Sequence, residues 1–500
     1  MIKLGSKLEN LIDRNDPRYK KLVEANPRLA RKDPDLWGPN TEASIRLNWV
    51  DLPESSKSLL PVLQQLSQKF KGNNLVLCGM GGSSLAPEVI AATFDKKIFV
   101  FDLTDPNYAA HVLESDLRNT VVVVSSKSGS TIETASQRIA MQNLLIQQGL
   151  NPTDHIIFVT DPGSPLDISA RSEGFTVINA DPNVGGRYSA LSAFGLVPAA
   201  LIDVDVEKFL DTAAQQRLLL TSNENVAVDL AYLMWTQSEQ FIAFADSKVL
   251  PGLSDWIEQL IAESTGKDRK GRLPVVIGSA TDPIGSDQLL ITFDENGVQG
   301  ELSEHFIVWE WATALLGYVL GIDPFNQPNV TEAKNQTTNL LKDWNNKLPH
   351  LKADFSDGNV EIFGNHDSIK SELKSIVDED GGYIAILAYL DRQDDQALVE
   401  LRKILAEKSR KPVTFGWGPR FQHSTGQFHK AGQPNGSFLI ITSESSRDFQ
   451  IKDFSFKTLV MAQALGESAA LNARKYPVSR LHLRDRALGI SEILNAAKEI

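Results

Sequence analysis

Short apolar runs separated by amphipathic stretches constrain this chain more than any other feature of its sequence. In the first half the runs are NLVLCG (74–79), KIFVFDL (97–103), TVVVVSS (120–126), HIIFVTD (155–161) and FTVINAD (175–181). Between them lie helix-compatible stretches such as IETASQRIAMQNLLIQQG (132–149). This alternation predicts an α/β fold built on mostly parallel sheets. The second half repeats the theme less tidily, with LPVVIGS (273–279), QLLITFD (288–294), NVEIFG (359–364), YIAILAYL (383–390), PVTFGWG (412–418) and SFLIIT (437–442) as candidate strands. Helices fit 304–320, 330–346, 394–409 and 456–475. We therefore expect two α/β domains, 56–235 and 236–500, with the boundary near 220–250 and a polar, proline-containing arm (1–55) packed over the first.

A chain of 500 residues has room for more than one domain, and 42% hydrophobic against 23% charged residues is the balance of a soluble globular protein. The formal charge of −13 argues against a nucleic-acid or anionic-membrane partner, since either needs a broad basic surface. An anionic small substrate is compatible with it, because a pocket can be locally cationic. The opening residues hold no apolar stretch of signal-peptide length, and no run approaches the roughly twenty apolar residues of a membrane span. With one cysteine, Cys78, neither an internal disulfide nor a Cys-based zinc site is expected. A cytoplasmic location is the expectation, with Cys78 a buried strand residue in LVLCG.

Two of the predicted strands end in loops rich in glycine and hydroxyl residues. The first, Gly79-Met80-Gly81-Gly82-Ser83-Ser84, precedes the helix-compatible LAPEVIAATF. Glycines let backbone approach a ligand, and a helix N-terminus favours an anion. No GK[ST] follows, and Ser84 stands where a dinucleotide fingerprint has its third glycine, so a plain strand-to-helix turn is an equal reading. The second, Ser125-Ser126-Lys127-Ser128-Gly129-Ser130-Thr131, gathers hydroxyls, a lysine and free N–H groups where a phosphate could sit. Its plainer reading is a capping box of Ser130 with Glu133. Two such loops at the carboxyl ends of parallel strands mark the expected ligand crevice of an open α/β sheet.

Six motifs together resemble the signatures of the glucose-6-phosphate isomerase family. They are GMGGSS, SSKSGSTIET, GGRYSALSAFG (185–195), QLIAESTGK (259–267), DPFNQPNVTEAK (323–334) and HSTGQ (423–427). The likeness is greatest to the isomerase portion of bacterial proteins that fuse a transaldolase to a glucose-6-phosphate isomerase. It implies two sugar isomerase (SIS) domains, each a three-layer α/β/α sandwich, and an aldose–ketose isomerisation without metal or other cofactor. The eight histidines form no HExxH pattern, and no clustered Cys/His/carboxylate set with ligand spacing is visible.

By the same resemblance, Gly82 and Ser83 lie beside the substrate, and Ser126, Ser128 and Thr131 hold its phosphate, with Lys127 in the same loop. Arg187 would stabilise the enediolate, which suits a guanidinium that stays charged and offers fixed donors. Glu263 would move the proton between C1 and C2, as a positioned carboxylate can do. The segment SDWIEQLIAESTG reads as a helix with Gln259 and Glu263 four apart on one face. From the residue alone Glu263 reads as an exposed helical glutamate, and only the match to ESTGK reverses that reading. His423 resembles the ring-opening histidine, donated across a homodimer interface, and its near-neutral pKa suits that work. Lys334, downstream of Gln327, resembles the lysine near the ring oxygen, and Asn329 with Glu332 could form a capping box at its helix. His305 and His429 read as structural or supporting residues.

One departure stands out. HSTGQ follows both the glutamate and lysine motifs, whereas in most of the family the histidine lies between them. The second domain is therefore expected to be rearranged in connectivity, which a site can tolerate. Two further functions compete with the main one: dual action on mannose 6-phosphate, and a non-catalytic sugar-phosphate sensor built on SIS domains.

Overall fold

In the computed structural model, which describes residues 1–286 and 288–500, the five apolar runs of the first half become parallel strands. They are β1 (Asn74–Gly79), β2 (Phe99–Phe101), β3 (Thr120–Ser125), β4 (Ile156–Thr160) and β5 (Thr176–Asn179). Every residue of β3 and β4 is buried, as strands of a parallel sheet covered on both faces require. Cys78 in β1 is fully buried, and burial pushes its thiol pKa up. The sheet order is β2-β1-β3-β4-β5. Winding reverses between β1 and β3, which is where such sheets open a crevice beyond their carboxyl ends. After β3 the chain enters helix α1 (Ile132–Gln147).

This sheet belongs to the first of two compact units, which comprises Met1–Asp102, Asp116–Ala280 and Leu289–Gln327. The same unit holds a second, three-stranded parallel sheet of β6 (Phe241–Ala245), β7 (Leu273–Ile277) and β8 (Leu289–Ile291), in the order β7-β6-β8. Helix α2 (Leu253–Thr265) makes the crossover from β6 to β7, and helix α3 (Leu302–Leu320) follows the sheet. The proposed boundary near 220–250 falls inside this unit. The physical reason is a continuous core: Leu230, Leu233 and Met234 of the helix Val226–Thr236 are wholly buried. The arm belongs to this unit too. Lys3–Leu4 pairs antiparallel with Val298–Gln299, and buried Trp49 meets Trp311 of α3 edge-on at 6.0 Å.

The second unit comprises Leu103–Ser115, Thr281–Gln288 and Pro328–Ile500. Its six-stranded sheet contains β9 (Phe355–Asp357), β10 (Val360–Phe363), β11 (Tyr383–Ala388), β12 (Val413–Trp417), β13 (Gly436–Ser443) and β14 (Val478–Leu483). The order is β9-β10-β14-β13-β11-β12, parallel from β14 through β12 and antiparallel at the β9 and β10 edge. Helices α4 (Val330–Asp343), α5 (Gly426–Ala431) and α6 (Phe456–Asn472) belong to it. The fold class is thus α/β with mainly parallel sheets. The runs at 273–279 and 288–294, read from sequence with the second domain, form β7 and β8 of the first unit instead. Among the described residues, no helix is long and apolar enough to cross a membrane.

Candidate active site

Gly79 at the end of β1 is paired in register with Ser125 at the end of β3, so the two hydroxyl-rich loops leave adjacent strands at one level. The first loop turns at once into the short helix Gly81–Ser83, with Gly81 at φ +56°. Gly82 has a specific reason to be glycine. A β-carbon there would lie 2.0 Å from Gly186 O and 2.3 Å from Gly186 C, so the loop is packed backbone to backbone against the GGR turn. Ser83 is buried, and Ser84 Oγ donates to Gly81 O at 3.2 Å. The first contribution of GMGGSS is therefore to seat the turn that carries Arg187.

The second loop exposes more of its chemistry. Ser126 is buried, its Oγ accepting from Gly129 N–H at 3.1 Å, while Ser128 is exposed with its Oγ 2.6 Å from Ser130 Oγ. Gly129 takes φ +74°, and a β-carbon there would meet Leu166 Cβ at 2.5 Å. The expected capping box of Ser130 and Glu133 does not form as written, because Thr131 occupies the N-cap of α1 without a side-chain capping bond. Lys127 braces the loop. Its ammonium reaches Asp161 Oδ2 at 2.8 Å and donates to Val184 O at 2.9 Å. Burial pushes the Lys127 ammonium down and the Asp161 carboxyl up, each partly offset by the other.

Arg187 is almost fully buried and uses every edge of its guanidinium. Nε donates to Ser264 Oγ at 2.8 Å, Nη1 to Gln327 Oε1 at 2.9 Å, and Nη2 to Pro324 O at 2.8 Å and Asn326 O at 2.9 Å. Nη1 also stands 3.4 Å from Glu263 Oε1. Glu263 lies in the last turn of α2, which begins beyond Gly252 in the left-handed region (φ +76°) and ends at Gly266. Gln259, one turn earlier on the same face, donates to Glu263 Oε2 at 3.0 Å. Both side chains are buried, so the exposed-glutamate reading fails. Trp256, Ile257, Leu260 and Ile261 anchor α2 in the core and fix the direction in which this face points. Sequence reasoning passed over Ser264, although its place in ESTGK beside Glu263 was the available signal. Tyr188 OH also reaches Ser264 Oγ, at 3.3 Å. The first unit thus brings Arg187, Gln259, Glu263 and Gln327 together. A buried carboxylate with one oxygen on an amide and the other facing a guanidinium can exchange a carbon-bound proton while the cation meets the resulting charge.

His423 and Lys334 belong to the second unit. His423 is half-buried at the end of the short helix Arg420–His423, and Lys334 is exposed on α4. The motifs that carry them do meet. Gln427 Oε1 accepts from Asn329 N–H at 3.0 Å, and Gln427 Nε2 donates to Asn329 Oδ1 at 3.1 Å. Asn329 is the N-cap of α4 but makes no side-chain capping bond, so the expected box with Glu332 is absent. Glu332 instead pairs with Arg474, at 2.8 Å from Nη1. His305 and His429 are core residues, each pushed down to about 3 by burial. His305 Nδ1 accepts from Trp309 Nε1 at 3.2 Å, and His429 Nδ1 lies 3.0 Å from Tyr383 OH. The second unit also joins a histidine to carboxylates that are distant in sequence: His111 Nε2 lies 2.9 Å from Asp391 Oδ2 and 3.7 Å from Asp394 Oδ2.

The phosphoglucose isomerase family matches residues 67–301. That span contains both loops, Arg187, Gln259 and Glu263, whereas Gln327, Lys334 and His423 lie beyond it. A glucose-6-phosphate isomerase from Thermus thermophilus is 32% identical over 262 residues, covering 50% of this chain and 62% of that protein. One from Citrifermentans bemidjiense is 31% identical over 304 residues, covering 53% of this chain and 57% of that protein. The chain thus spans less than two thirds of the length of these curated relatives. A crystal structure of a glucose-6-phosphate isomerase from Chlamydia trachomatis aligns at 23% identity with a TM-score of 0.49, covering 64% of this chain and 78% of that one.

Proposed function

We propose that this chain, which belongs to the phosphoglucose isomerase family through residues 67–301, interconverts glucose 6-phosphate and fructose 6-phosphate through a cis-enediolate. What carries this is the buried pair of Glu263 and Arg187 at 3.4 Å, with Gln259 on the other carboxylate oxygen at 3.0 Å. Aldose–ketose isomerisation needs one base to lift a proton from C2 and return it to C1. Glu263 takes the C2 proton of the open-chain aldose as the C1 carbonyl oxygen becomes anionic. The Arg187 guanidinium offsets that charge. The hydroxyl proton passes from O2 to O1, and Glu263 returns its proton to C1, leaving the carbonyl at C2.

The hydroxyls of Ser128 and Thr131, at the mouth of α1, are suited to a phosphate, because backbone N–H groups at a helix start add to them. Buried Ser126 accepts from Gly129 N–H and shapes the loop. Lys127, tied to Asp161, holds that loop in shape, and Gly82 with Ser83 supports the neighbouring turn. Gln327 completes the cage around Arg187. His423 and Lys334 keep the ring-opening roles that the resemblance implies for them.

Purified protein supplied with fructose 6-phosphate and a chelator is expected to form glucose 6-phosphate. Glu263→Gln should lower kcat by about three orders of magnitude or more, as removal of the base demands. The variant should still bind the sugar phosphate in a titration. Turnover within tenfold of wild type would remove Glu263 from the chemistry.

A further inference from the structure

Lys267 is the second buried cation of this region. It follows the C-terminal Gly266 of α2, is 3% exposed, and extends its ammonium to three acceptors. These are Asp323 O, Asn326 O at 2.6 Å and Asn326 Oδ1 at 2.9 Å. Arg187 holds the same segment by Pro324 O and by the same Asn326 O. Two cations from distant parts of the first unit thus converge on the carbonyls of 323–326, and one carbonyl is shared between them.

The turn after α2 is shaped to deliver this side chain. Asp268 and Arg269 take φ of 54° and 59°, where residues with a β-carbon are uncommon. Gly271 packs so closely that a β-carbon would sit 2.4 Å from Thr265 O. Arg272 N–H donates to Thr265 Oγ1 at 2.9 Å and closes the turn. An ammonium buried beside a guanidinium is an unfavourable way merely to hold a loop, since an apolar side chain would avoid the desolvation. Burial and then Arg187 push the Lys267 pKa down to about 6, opposed by Asp323, Glu263 and Glu42. Three oxygen acceptors around Nζ nonetheless call for three N–H donors, so the geometry fits the ammonium. The placement makes sense if the object held is Arg187 itself, whose Nη1 must face Glu263.

We infer that Lys267 is a positioning residue for the isomerisation, clamping the 323–326 carbonyls so that Arg187 is held in register with Glu263; this rests on the isomerase function proposed above. Without the ammonium, Asp323 O and Asn326 Oδ1 lose the bonds it makes, and the carbonyls that Arg187 needs are held less closely. Glu42 N–H still donates to Asp323 Oδ2 at 2.8 Å, and Phe325 stays packed on Trp37 and Tyr188. The hydroxyls of 126–131 make none of these bonds, so capture of the phosphate does not depend on the clamp.

The test is Lys267→Met in the full chain, compared with wild type. The expected result is a 30- to 300-fold fall in kcat, with Kd for a non-reacting hexitol 6-phosphate unchanged within threefold. In deuterated water, the share of hydrogen passed directly between C1 and C2 should also fall, because a loosened cage lets Glu263 exchange its proton with solvent. A kcat within threefold of wild type would overturn the clamp, and so would a fall that matches a loss of folded protein with unchanged hydrogen transfer. Should Lys267→Met fail to fold, Asn326→Ala removes one acceptor and spares both carbonyls. It is expected to lower kcat three- to tenfold with the same shift toward exchange, and unchanged transfer in that variant would overturn the proposal. A wild-type protein that does not isomerise the sugar would remove the premise, and with it the role of Lys267; normal wild-type turnover with a normal variant would fault Lys267 alone.

Discussion

The loops 79–84 and 125–131 look alike in sequence, leave neighbouring strands in register, and are used differently. In the first, glycine and serine are consumed by the protein: Gly82 lies against Gly186, and Ser83 and Ser84 are buried. In the second, Ser128 and Ser130 stay exposed while Ser126 and Lys127 are tied into its frame. A glycine- and serine-rich loop after a strand therefore serves two ends, close packing or ligand contact, and burial of the hydroxyls tells them apart. The first loop positions a catalytic candidate and the second offers a binding surface.

Substitutions can break that contrast. Gly82→Ala should have the largest effect, because its β-carbon meets backbone and not a movable side chain. We expect a loss of about 3 kcal/mol or more of stability, the upper range for overpacking, together with loss of turnover. Urea denaturation and an activity assay would show it, and a stable, active variant would mean the loop is not packed on the GGR turn. Ser128→Ala should be intermediate and of another kind: sugar-phosphate affinity falls about five- to tenfold, near the net worth of one hydrogen bond, with an unchanged urea midpoint. Unchanged affinity would move the phosphate away from this loop. Ser84→Ala should be smallest, about 1 kcal/mol of stability from the bond to Gly81 O and no change in affinity. A marked loss of affinity there would make the first loop a ligand surface as well.

Much of the first unit was legible because its signals are local. The run NLVLCG gives β1 residue for residue, and TVVVVSS gives β3 but for its last serine. The strand β14 was missed because Arg480 and His482 interrupt its apolar run, and Arg480 lies over the Phe363 ring at 3.8 Å, a partner no local window contains. Strand β6 was missed beside the boundary wrongly drawn there. Of the site, Gln259 and Glu263 were readable together, since four residues of helix place them on one face. The two capping boxes were not, because the same residue types also serve as loop hydroxyls and ion-pair partners, and geometry chose those uses.

By itself the sequence settled the α/β class, the strands of the first sheet, the loops at their carboxyl ends and the shared face of Gln259 and Glu263. These follow from short-range sterics and from the periods of helix and strand. Only the tertiary structure decided that β7 and β8 join β6, that Gly82 lies on Gly186, and that Arg187 and Lys267 converge on one segment of carbonyls. Those choices depend on buried backbone oxygens finding donors from distant parts of the chain, and no local pattern states which donor will arrive.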